Sequence, residues 1–168
     1  MKIFVSLLLC VVLSGFANAQ NITIILVRHA EKDTSATANK SDPDLGEIGR
    51  KRAERLSEIL LKYNPRQIFS TRYRRTRMTA EPLANNIFVN YRLQTQIYDF
   101  DKTEEFAAQL LSSNIKCVVV FGHSNTTPAL ANLLIKQNKY KDLTENEFDK
   151  IFIIKVKKDK ITDEMMTY

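Results

Sequence analysis

The chain has 168 residues, enough for one domain with a buried core of ordinary size. Hydrophobic residues make up 44% and charged residues 26%, which excludes a disordered chain, and no low-complexity tract or internal repeat is present. The net charge of +6 suits nucleic acid, an anionic membrane or an anionic small substrate, so the placement of the cations decides among them.

Residues 1–19 differ from the rest: Lys2, the apolar run IFVSLLLCVVLSGF, then Ala17-Asn18-Ala19. A basic start, an apolar centre and a small-x-small cleavage site predict a secretory signal peptide. The apolar run is shorter than the roughly 20 residues needed to span a bilayer. The expected organisation is a signal peptide over 1–19 and one domain over 20–168. That chain is expected to be exported, periplasmic or secreted, without stable membrane insertion after cleavage. Cys10 lacks the small residues that precede a lipid-modified cysteine. Cleavage removes Lys2, the segment's one charged residue, so the charge falls from +6 to +5. It also leaves Cys117 alone, which rules out an internal disulfide. Cys117 opens the run CVVVF and reads as a small buried residue.

Residues 22–27, ITIILV, form a continuous apolar run, the pattern of a strand buried on both faces. The polar stretch from Asp33 to Asp44 predicts a loop. Leu45, Ile48, Ala53, Leu56, Ile59 and Leu60 recur at helical spacing over 45–63, and Pro65 ends that helix. A short strand follows over 67–69, then a helix over 76–86 interrupted by Pro82. The segment 88–98 is expected to be extended, 103–112 helical, 116–121 a second fully apolar strand and 127–135 its helix. The tail predicts a hairpin with strands over 151–156 and 161–168.

Strands alternating with helices predict an α/β three-layer sandwich, with a largely parallel central sheet, helices on both faces and a C-terminal antiparallel hairpin. Ligands of such sheets sit beyond the carboxyl ends of the strands. That rim receives Arg28-His29-Ala30-Glu31-Lys32 after the first strand. It receives STRYRRTRMTA, residues 70–80, after the second, and Gly122-His123-Ser124-Asn125-Thr126-Thr127-Pro128 after the later one. The chain's two histidines, His29 and His123, thus reach one edge together with several arginines. Guanidinium groups match phosphate oxygens in a bidentate fork, and a helix N-terminus after His123 adds anion-binding N–H groups. An imidazole in the right tautomer attacks phosphorus, while the second donates to oxygens that gain charge. This pattern describes metal-free phosphoryl transfer. Two histidines with Glu31 could ligate zinc or iron, but cationic neighbours disfavour a dication and neither HxH nor HxxxH spacing occurs.

These motifs resemble the histidine phosphatase superfamily, the phosphoglycerate-mutase-like fold. LVRHAEK, residues 26–32, is similar to its Arg-His-Gly signature, with Ala30 in place of glycine. STRYRRTRMTA resembles its Ser-x-x-x-x-Arg-x-x-x-Thr-Ala element, and DPDLGEIGRKRAERL its Leu-x-x-x-Gly-x-x-x-Ala helix start. The chain looks most like short, exported or phosphohistidine-phosphatase-like members. The resemblance implies His29 as nucleophile and Arg28, Arg75 and His123 as phosphate-binding groups, with no cofactor and no metal. It also implies hydrolysis of a phosphate monoester or phosphoramidate through a phosphohistidine intermediate.

A proton donor should complete the set. Asn125 stands where acid-phosphatase relatives carry an aspartate, so Asp99 is the first choice, with Asp101, Glu104 and Glu31 as alternatives. Alanine at position 30 is tolerable if its φ stays negative. The pocket walls are expected from the loop 33–44 and the segment 86–102. The expected partner is a phosphorylated small molecule or phosphorylated protein, not nucleic acid. The rival reading is a noncatalytic module of the same fold that binds phosphate or a phospho-ligand. An electrostatic binder working through Arg72, Arg74, Arg77 and the Lys-rich tail ranks below both, since it needs no paired histidines.

Overall fold

The computed structural model describes residues 21–88, 95–158 and 160–168. The signal-peptide expectation over 1–19, and residues 89–94 of the segment expected to be extended, lie outside them.

One six-stranded sheet carries the fold. Its strands are β1 (Asn21–Arg28), β2 (Gln67–Ser70), β3 (Thr95–Ile97), β4 (Cys117–Gly122), β5 (Lys150–Lys157) and β6 (Lys160–Thr167). Their order is β3-β2-β4-β1-β5-β6. β1 runs parallel to β4, which runs parallel to β2, which runs parallel to β3. β5 pairs antiparallel with β1 and with β6, so the predicted hairpin forms that edge. Every residue of β4 is buried, as its uniformly apolar run requires.

Alternation along β1 divides the core. Ile22, Ile24 and Leu26 pack with Phe106, Leu110, Leu130 and Leu134, from α3 (Thr103–Ser112) and α4 (Thr126–Ile135). Ile25 and Val27 pack with Leu56, Leu60, Ala80 and Leu83, from α1 (Glu47–Leu61) and α2 (Arg74–Phe88). Leu56 and Leu60 are almost fully buried, each worth about 1.5–3 kcal/mol relative to exposure. The sandwich therefore has two helices on each face, as the sequence pattern predicts.

Two details fasten the helices to the rim. The ideal Cβ of an alanine at position 49 would lie 2.1 Å from the Glu31 carbonyl oxygen. Only glycine lets α1 approach that closely, and the Gly46 N–H donates to the same oxygen at 3.0 Å. Asn64, at φ 52°, and Pro65 stop the chain from continuing α1. α2 begins at Arg74, two residues before the expected start, because the Asp42 carboxylate accepts the Arg74 N–H at 2.9 Å.

Candidate active site

The register places the rim. Arg28 pairs with Gly122 and Ser70 with Phe121, so the chain leaves β1, β2 and β4 side by side. Beyond them lies a cavity of about 310 Å³ lined by Arg28, His29, Arg75 and His123, with Ser124, Asn125 and Thr126 from the start of α4. The four residues predicted to bind and attack phosphate are thus brought together. The walls differ from expectation. No residue of the loop 33–44 lines the cavity, and the segment 86–102 contributes Phe100. The remaining walls are Lys32, Tyr73, Glu145 and Phe148. The loop is closed at its neck, where Lys32 bridges Leu45 and the Asp33 N–H donates to Asp44, and only Asp42 reaches toward Arg75 Nη1, at 3.7 Å.

His29 is held in a defined tautomer. Its Nδ1 lies 2.7 Å from the Ala30 carbonyl oxygen, which can only accept, so the proton sits on Nδ1. Nε2 is left with a lone pair and accepts from Arg75 Nε at 3.3 Å. Burial, with His123, Arg75 and Arg28 nearby, pushes the His29 pKa from 6.5 down to about 3. A neutral imidazole with an unprotonated Nε2 is the state a nucleophile requires. Ala30 is outside the positive-φ residues, and its N–H donates to Thr79 Oγ1 at 3.0 Å. The turn therefore needs no glycine.

His123 stands 5.3 Å from His29 between ring centroids. Burial and the charges of Arg75 and Arg28 lower its pKa to about 4. Its Nε2 meets Thr71 Oγ1 at 3.0 Å, and Thr71 Oγ1 meets Thr76 Oγ1 at 2.7 Å. Thr76 Oγ1 gives its one proton to the Tyr73 carbonyl at 2.7 Å, so it accepts from Thr71 Oγ1. Thr71 Oγ1 in turn accepts from the His123 Nε2–H, which leaves the lone pair on Nδ1. Tyr73 and Phe100 both set ring edges against His123, with centroids 5.2 and 5.8 Å away.

Arg28 is committed more heavily than a free phosphate clamp. Its Nη1 donates to the carbonyls of Thr144 and Glu147 at 2.6 and 3.2 Å, and its guanidinium lies 4.2 Å from the Phe148 ring centroid. Its Nε is the one buried side-chain nitrogen or oxygen without a partner among the described residues. A buried donor left unpaired is costly unless a ligand oxygen meets it.

The carboxylates chosen from the sequence lie elsewhere. Asp99 is exposed, caps a short 3₁₀ turn by accepting the Asp101 N–H at 3.1 Å, and lines a different cavity. Asp101 and Glu104 line a groove against α4. Glu31 is paired with Arg52 through bonds of 2.7–2.9 Å, and that guanidinium holds the Glu31 pKa below its ordinary value against the effect of burial. The carboxylate that does line the cavity is Glu145, which the sequence did not single out. Among the described residues, no three of His, Cys, Asp and Glu are grouped to hold a metal ion.

Residues 24–105 match the family model of the histidine phosphatase superfamily (branch 1). No curated protein matches the chain significantly in sequence. The fold is similar to that of the protein histidine phosphatase SixA complexed with tungstate, at 13% identity and TM-score 0.66, covering 87% of this chain and 97% of that one. A mycobacterial glucosyl-3-phosphoglycerate phosphatase is similar at 14% identity and TM-score 0.64, over 89% of this chain and 99% of that one. A candidate phosphohistidine phosphatase SixA from Agrobacterium tumefaciens is similar at 17% identity and TM-score 0.63, over 88% and 98% of the two chains.

Proposed function

We propose that the chain, whose residues 24–105 match the histidine phosphatase superfamily model, is a hydrolase of that superfamily that cleaves a phosphate monoester or phosphoramidate through a phosphohistidine on His29, without a metal ion. One observation carries this reading. His29 presents a neutral, unprotonated Nε2 beside the Arg75 guanidinium, inside the cavity that also holds His123 and Arg28.

In the first step His29 Nε2 attacks phosphorus in line. The N–P bond forms as the bond to the leaving oxygen or nitrogen breaks, and the electron pair departs with the leaving group. Water then attacks the phosphorus, the N–P bond breaks, and phosphate and neutral His29 are regenerated. Arg75 and the unpaired Nε–H of Arg28 donate to the equatorial oxygens, where negative charge accumulates, and His123 lies beside them in the cavity. The N-terminus of α4 adds backbone N–H groups and a positive dipole end at the same cavity. Guanidinium groups thus supply the charge neutralisation that a metal ion provides elsewhere.

The similar folds include enzymes named for a phosphorylated protein histidine and for a phosphorylated sugar acid, which supports a phosphorylated protein or small molecule as substrate. Export to the periplasm or exterior is part of the same proposal. It rests on the pattern of residues 1–19 and is tested by the N-terminal sequence of the protein recovered outside the cytoplasm.

The test of activity is hydrolysis of 4-nitrophenyl phosphate by the mature chain. Turnover should persist in EDTA, be inhibited by vanadate and be lost in His29→Ala. Undiminished turnover in that variant overturns the mechanism. Phosphate binding without turnover of any phosphorylated substrate supports the noncatalytic reading instead.

A further inference from the structure

The proposed chemistry leaves the leaving group without a proton, and the acids chosen from the sequence are engaged elsewhere. We propose that Glu145 is the proton donor of this site, an inference that rests on the phosphatase reading above.

Glu145 is the carboxylate lining the cavity that holds His29, His123 and Arg75. Its side chain is 87% exposed, and among the described residues its ion-pair partner is Arg28 Nη2, at 3.7 Å. That spacing is a loose ion pair, weaker than the bidentate grip of Arg52 on Glu31. The carboxyl is therefore accessible to water and free to turn toward a leaving group.

Its backbone, in contrast, is held firmly. Thr144 and Glu147 form a closed turn: Glu147 Oε2 accepts from the Thr144 N–H at 2.8 Å and from its hydroxyl at 2.9 Å, and the Glu147 N–H donates to Thr144 O at 3.2 Å. Arg28 Nη1 binds the carbonyls on either side of Glu145, those of Thr144 and Glu147. The Leu143 N–H donates to Ser124 O at 2.9 Å, joining the loop to the His123 turn. Farther back, Asn132 fixes the loop's start, accepting from the Tyr140 N–H at 2.8 Å and donating to Tyr140 O at 2.7 Å. A mobile carboxyl on a pinned backbone, beside the phosphate-binding arginine, is the arrangement a proton donor needs.

The Glu145 carboxyl gives its proton to the leaving oxygen as the P–O bond breaks and the His29 N–P bond forms. The resulting carboxylate then takes a proton from the water that attacks phosphohistidine, which restores the acid and releases phosphate.

The test compares Glu145→Gln with the wild-type protein on two leaving groups. Alkyl phosphates expel a basic oxygen and need the proton, whereas 2,4-dinitrophenyl phosphate expels a stable anion. The variant should lose about 100-fold or more in kcat/KM, which reports the step that expels the leaving group, on the alkyl ester and stay within about threefold on the dinitrophenyl ester. Equal losses on both esters would mean that Glu145 only positions Arg28, and would overturn the assignment. So would no loss on either. If the wild-type protein hydrolyses neither ester, the phosphatase reading itself fails. The dinitrophenyl ester also reports that the variant is folded and that His29 is intact.

Discussion

Between pH 7 and pH 5 an unfolded chain takes up protons on its histidines, while the native state should hold His29 and His123 neutral. Their ordinary pKa is 6.5, and burial lowers them to about 3 and about 4. A group whose native pKa lies below its unfolded value loses stability as the pH falls through that window. At pH 5 the unfolded imidazole is almost fully charged, so each histidine costs about 2 kcal/mol relative to pH 7, and the pair about 4 kcal/mol. That is a large part of the stability of a domain this size. Urea unfolding at pH 5 and pH 7 measures it directly. Carboxylates also titrate near this range, so the comparison that isolates the histidine is wild-type against His29→Asn. The variant should be less pH-sensitive by about 2 kcal/mol over the interval. An identical pH dependence in the two proteins would mean that native His29 is charged or titrates normally, which removes the neutral nucleophile from the mechanism.

Gly49→Ala should destabilise the fold by about 2 kcal/mol or more, because the new Cβ meets the Glu31 carbonyl oxygen at 2.1 Å. Thermal unfolding should register a fall of about 5 °C, and an unchanged Tm would contradict the close approach. Glu31→Gln breaks the Arg52 pair, a partly exposed one worth about 1 kcal/mol, and should change kcat on an alkyl phosphate by less than about threefold. A hundredfold loss there would make Glu31 the acid. Thr71→Val removes the hydroxyl that accepts from His123 Nε2 and should cost about fivefold in kcat/KM and in vanadate affinity, since one hydrogen bond is worth about 1 kcal/mol. Unaltered vanadate binding would show that the Thr71 hydroxyl does not orient His123 for the phosphate.

The apolar runs of β1 and β4 made the buried sheet legible, and the two histidines after them marked the rim. Both signals are local: a continuous apolar run, then a charged turn. The acid was not legible, because Asp99 is consumed by the turn it caps and Glu31 by Arg52, an arginine 21 residues away. Glu145 and Phe148 enter the site because Arg28, 116 residues from Thr144, and the His123 turn grip their loop. The Thr144-x-x-Glu147 spacing signals a tight turn, but nothing in it signals where that turn docks. The early start of α2 has the same cause, since its cap comes from Asp42, 32 residues away. The sequence showed local pattern; what it left hidden was long-range capping.

The most direct test of the central claim is a quench of the mature protein during turnover of a ³²P-labelled substrate. A phosphate that is acid-labile and base-stable should be recovered on the peptide containing His29, and should be absent from His29→Ala. Turnover with no covalent phosphate, or with label on a peptide that lacks His29, would contradict the account.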